Sequence, residues 1–239
     1  ITSHQVAADT TAPTITSFTI DKASGSYKVG EAFQITANTS ENIQNGNTIT
    51  VTLNTGGNGT DVVLTAQADG TTLVGTYTVA AGNTSAGLTV SSFTIGTVSD
   101  TAGNAMTSTT LPAANFIFGT KTIVIDTTVP GAPVMNAITT PSSTTQPTVT
   151  GTGTNGDTIN VFADGTNVGT TTVANGSWSV QTSVLTQGER VMTAKATDPA
   201  GNQSVASVAQ TIVIDATAPT SFTTGSVTVA GTGTKVTGY

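Results

Sequence analysis

"KTIVIDTTVPGAP", residues 121–133, runs an apolar strand pattern into an acid and restarts after a proline. The phrase returns as "QTIVIDATAP" (210–219), and "AADTTAP" (7–13) is a shorter third copy. A second phrase travels with it: "SDTAGNAM" at 99–106 and "TDPAGNQS" at 197–204. Each unit therefore opens on an Asp and carries Asp-x-Ala-Gly-Asn before its last strand, which is an internal repeat. Taking Asp9, Asp126 and Asp215 as joints gives four segments. Residues 1–8 are a leading tail or the end of a preceding module, 9–126 a first module, 127–215 a second, and 216–239 the start of an incomplete third.

Composition points the same way. Only 8% of the 239 residues are charged and 5% aromatic, while Thr, Val, Gly and Asn abound. Thr and Val favour strands, and Gly and Asn favour turns. Apolar and polar residues alternate in "TITVTL" (48–53) and "TINVFA" (158–163), the period of a half-buried strand. Other strand stretches are 62–66, 73–79, 88–95 and 116–125 in the first module. In the second they are 167–173, 177–180, 191–196 and 208–214. No stretch of ten residues has helical spacing. About seven short strands per module, with turns every 8–12 residues, predict an all-β chain of tandem immunoglobulin-like sandwiches in an elongated array. Trp178 is the natural core aromatic of the second module.

The absence of Cys removes disulfides and thiolate zinc sites. A net charge of −7 with six Lys plus Arg argues against nucleic acid, which needs clustered cations. No apolar run is long enough to enter a bilayer as a helix. The single His, His4, lies in the leading tail, so a Ser-His-Asp or Cys-His enzyme is not expected. Trp178, Tyr27, Tyr77 and Tyr239 give little for an aromatic sugar platform.

Seven of the thirteen acids fall in equivalent positions. In an up-and-down sandwich the module start, the B–C loop and the F–G loop share one pole. That pole receives Asp9, Glu41 and Asp100 in the first module and Asp126, Asp157 and Asp198 in the second; Asp215 opens the third. Three carboxylates together repel unless a cation sits among them. Calcium takes six to eight oxygen ligands. Asn104 and Asn202 either add an amide oxygen or hydrogen-bond the loop. The simpler alternative is that these Asp, Gly and Asn residues only form turns.

The stretches "DTTAPTIT", "SENIQNGNTITVTLNTG", "GTYTVAAGNTSAGLTVSSFTIGTVSDTAGNAM" and "DPAGNQSVASVAQTIVIDATAP" resemble the bacterial Ig-like repeats of giant surface adhesins. Those adhesins are exported by type I secretion and often carry calcium-binding RTX repeats. The resemblance spans about residues 9–219. It implies an extracellular stalk on a bacterial cell surface, calcium at or near the joints, and roles in attachment and biofilm. Its partners would be neighbouring modules of the same chain. The glycine-rich nonapeptide of RTX repeats is absent here, which fits a stalk segment. The rival expectation is a self-assembling surface-layer or filament subunit. There, strands in "SFTTGSVTVAGTGTKVTGY" (221–239) complete a sheet in an identical chain.

Overall fold

The structure, a computed structural model, describes residues 7–218; His4 and the 221–239 segment lie outside them. The N-terminal part contains β1 (Ile15–Ile20), β2 (Gly25–Tyr27), β3 (Ala32–Ile43), β4 (Thr48–Leu53) and β5 (Thr60–Thr65). It continues with β6 (Gly70–Thr78), β7 (Thr84–Ser85), β8 (Val90–Thr97) and β9 (Ile123–Asp126). The hydrogen-bonded order is β1-β3-β6-β5-β4-β8, with β2-β9-β7 as a second sheet. Alternation builds this core directly: Ile49, Val51 and Leu53 of β4 are buried while the intervening threonines reach the surface.

The six-stranded sheet folds over on itself. Strands β5 and β6 share a single paired position, Thr65 with Val74. The two ends of the strand order then meet across the core, where Phe18 of β1 packs edge-on against Phe93 of β8 at 6.0 Å. Strand β9 brings Ile123 and Ile125 into the same core. Burying side chains of this size stabilises by about 1.5–3 kcal/mol each.

The C-terminal part contains β10 (Val134–Met135), β11 (Thr148–Thr152), β12 (Thr158–Ala163) and β13 (Thr166–Thr172). Strands β14 (Ser177–Gln181), β15 (Gly188–Thr197) and β16 (Gln210–Ile214) follow. They form two sheets, β10-β11-β14 and β13-β12-β15-β16. Trp178 is buried between them, as expected, and its indole nitrogen donates to the Thr152 carbonyl at 3.1 Å. Gly151 makes room for it, because a Cβ there would collide with the indole and the Val134 carbonyl. The buried apolar residues form two separate clusters, Ile15 to Ile125 and Met135 to Ile214.

The all-β expectation holds: among the described residues the single helical element is a 3-10 turn, Ala114–Phe116. One strand expectation fails. The stretch 116–125 is not continuous, because Phe118 and Gly119 take φ of 57° and 64°. Two consecutive left-handed residues reverse the chain, so only Ile123–Asp126 joins a sheet.

Candidate metal centres

Each joint Asp caps its own turn. Asp9 Oδ1 accepts the Thr11 amide at 3.0 Å, and Asp126 Oδ1 accepts that of Thr128 at 2.9 Å. Asp215 Oδ1 accepts that of Thr217 at 3.3 Å. This local turn is why Asp stands two residues before Thr in all three copies. It occupies one carboxylate oxygen and leaves the other to point elsewhere.

The Asp-x-Ala-Gly-Asn loops are likewise one structure built twice. Gly103 and Gly201 take φ of 97° and 89°, which only glycine adopts without strain. The turn then folds Asn104 back onto Asp100: its backbone amide donates to Oδ1 and its side-chain Nδ2 to Oδ2, both at 2.7 Å. Asn202 does the same to Asp198 at 2.8 and 2.9 Å. The same Nδ2 atoms also donate to the backbone carbonyls of Asp9 at 3.1 Å and Asp126 at 2.9 Å. Of the two roles open to Asn104 and Asn202, the structure gives them loop bonding. Their nitrogens, not their oxygens, face the carboxylates, and they pin the joint to the loop.

The third carboxylate corrects the sequence alignment of the two modules. Glu41 is not in a loop; it lies near the end of β3, where the register with β6 shifts between Asn38 and Ile43. Ile43 bridges to Asp100, which brings this irregular strand end to the acidic pole. Asp157 instead precedes β12. Its counterpart in the first module is Asn47, which precedes β4. Ala66 N and Val173 N donate to the carbonyls of Asn47 and Asp157 respectively, and Gly46 and Gly156 before them share φ near 80° and 90°. "NGN" (45–47) against "NGD" (155–157) was the signal available in the sequence.

In the first set, oxygens of Asp9, Glu41 and Asp100 all lie within 4.8 Å of one another. In the second, Asp126, Asp157 and Asp198 line one open cleft of about 270 Å³ with Thr128, Thr154 and Asn155. Both sets hold a carboxylate oxygen that is buried without a hydrogen-bond partner: Glu41 Oε1 and Asp157 Oδ2. Asp157 is only 3% exposed. Burial raises the Glu41 carboxyl above its ordinary value of 4.5, helped by the charges of Asp9 and Asp100. Burial and the Asp198 charge raise Asp157 above 3.8. Asp100 goes the other way: burial pushes it up, but the Asn104 side chain and the backbone amides around it outweigh that and hold it lower. Buried anionic oxygens facing other carboxylates without a proton donor are a donor set for a hard cation. The first set, with three carboxylate oxygens gathered together, fits calcium; the second brings its three acids to one cleft without gathering them as tightly. Asp215 closes β16 with the same Asx turn; residues 219–239, which follow it, lie outside the described residues.

Paired, mostly antiparallel sheets around a buried core, with seven strands in the C-terminal part and nine in the N-terminal part, are the features of an immunoglobulin-type sandwich. Residues 131–216 match the family of bacterial Ig-like domains. The Ig-like match covers the second acidic set except Asp126, which the preceding sheet supplies. No curated protein matches the chain. Among solved structures, one described as a membrane-anchored protein from Corynebacterium diphtheriae is similar at 14% identity with a TM-score of 0.31. The match covers 82% of this chain and 53% of that one, so the chain spans about half that structure's length. No helix among the described residues is long and apolar enough to cross a membrane.

Proposed function

We propose that this chain is an extracellular, calcium-stiffened stalk segment of a bacterial surface protein, with Ig-like modules in tandem that hold an attachment or biofilm-forming end away from the cell. The observation that carries the reading is the pair of orphaned buried oxygens: Glu41 Oε1, in a residue whose carboxylate gathers with those of Asp9 and Asp100, and Asp157 Oδ2, in a residue that lines one cleft with Asp126 and Asp198. The first ion would be held by Asp9, Glu41 and Asp100, the second by Asp126, Asp157 and Asp198. The ion supplies charge neutralisation. The chain supplies position: each site joins an acid before a module's first strand to acids within that module. The Ig-like match and the resemblance of the repeat phrases support the surface assignment.

Extracellular calcium modules bind with constants of about 0.1–1 mM. At about a hundredfold excess, each site adds about 2.7 kcal/mol of stability. Calorimetric titration of the full chain should show calcium binding in that range, and chelator should lower the melting temperature. Identical melts in calcium and in chelator, with no heat of binding, would remove the reading.

A further inference from the structure

Asp126 belongs to two structures at once. It ends β9 and pairs with Thr84 of β7, yet its carboxylate lines the cleft of the second acidic set. The residue after it is gripped from the N-terminal side as well: Thr127 Oγ1 donates to the Asn83 carbonyl at 3.0 Å and accepts the Gly82 amide at 3.2 Å. Asn83 is itself fixed by Tyr77, whose hydroxyl donates to Asn83 Oδ1 at 3.0 Å. From the C-terminal side, Asn202 holds the Asp126 carbonyl. The linker is therefore a pivot with little slack. A single pivot still permits one body to swing about it.

A second contact lies beside the pivot. Lys28 Nζ donates to the Gly201 carbonyl at 2.9 Å. Register puts it there: β2 runs parallel to β9 with Tyr27 opposite Ile125, so Lys28 emerges next to Asp126. A turn closed by the Glu31 amide on the Lys28 carbonyl, with Gly30 at φ 90°, holds its backbone. Gly201 sits inside the Asp198–Asn202 loop that organises the second acidic set. In the matching first loop nothing among the described residues comes within 4 Å of a Cβ on Gly103, whereas a Cβ on Gly201 would meet Lys28 Nζ at 3.5 Å.

We propose that Lys28 is an inter-module strut: a positioning residue whose ammonium docks on the Gly201 carbonyl and fixes the angle between the two cores about the Asp126 pivot. The inference rests on the calcium reading only in this respect, that an ion ordering the Asp198 loop also orders the carbonyl that Lys28 grips. An exposed hydrogen bond is weak alone, but the tethered linker gives it a high effective concentration. Loss of the strut then frees rotation without emptying the site.

The test uses the full chain, whose lack of cysteine allows clean spin labels at exposed Thr72→Cys and Thr166→Cys. Pulsed electron spin resonance in calcium should give a narrow distance distribution for the parent, at least about twofold broader for Lys28→Met, and narrow again for Lys28→Arg. Calcium binding by calorimetry should keep the same stoichiometry in both variants. Equal widths for the parent and Lys28→Met overturn the strut, whatever the calorimetry shows. Absent calcium heat in the parent overturns the calcium reading, while the widths still judge the strut on their own.

Discussion

The two acidic poles reach the same chemistry by different routes. In both, an Asx-turn Asp meets an Asp locked by the following Asn, and one further carboxylate carries a bare buried oxygen. That third acid comes from a strand irregularity in the first pole, Glu41, and from the residue before β12 in the second, Asp157. At the first pole, Asn47 stands in the place of Asp157 and donates Nδ2 to the Ser99 carbonyl at 2.7 Å. The comparison teaches that both poles place a third carboxylate beside the other two, and that the backbone position supplying it differs.

The sharpest way to break the comparison is Asp198→Ala. It strips Asn202 of two acceptor contacts and removes a candidate ligand. The second melting transition should drop by about 2 kcal/mol from the hydrogen bonds alone, plus the calcium increment, while the first stays in place. Equal losses in both transitions would show that the poles are not independent.

Next in size is Asp157→Asn. With chelator present it should be neutral or mildly stabilising, because it removes an uncompensated buried anion. In calcium it should abolish the increment of the second module, about 2.7 kcal/mol at about a hundredfold excess. Differential scanning calorimetry in both buffers reads the change of sign. A loss of equal size in chelator would mean that Asp157 is needed by the fold and not by an ion.

The smallest effect is in pH. Glu41 and Asp157 are raised in the folded chain, so their contribution is fully present below the ordinary values of 4.5 and 3.8 and is lost as pH rises through the folded ones. Asp100 is lowered, so its contribution is present above 3.8 and lost as pH falls through its folded value. Metal-free protein should therefore melt higher on the mildly acidic side than at neutrality, and calcium should stabilise most at neutral pH. Melts from about pH 4 to about pH 7 with chelator check the sign. A flat metal-free profile would mean that the carboxylates do not repel.

Much of this is legible in the amino-acid sequence. Alternation in 48–53 and 158–163 placed β4 and β12, because a half-buried strand must bury every second side chain. The repeated Asp-x-Thr and Asp-x-Ala-Gly-Asn phrases located both poles, because Asx turns and left-handed glycines are local and leave their residues in the sequence. What stayed hidden depends on distant partners. The shift that carries Glu41 to the pole arises from pairing with β6, the reversal at Phe118 looks like strand composition, and Lys28 reads as an ordinary turn lysine until the parallel register with β9 sets it beside the joint.

That parallel register has a mechanical meaning. Strands near the two ends of the first module, β2 and β9, lie side by side in the same direction over three paired positions. Once β1, which precedes β2 and pairs antiparallel with β3, has peeled away, tension on the chain ends pulls β2 and β9 lengthwise past each other, so their bonds are loaded together instead of unzipping one by one. The second module has a single parallel bridge of this kind, Ser142 with Ile214. Under drag it is the second module that should extend first, an order that single-molecule pulling reads directly.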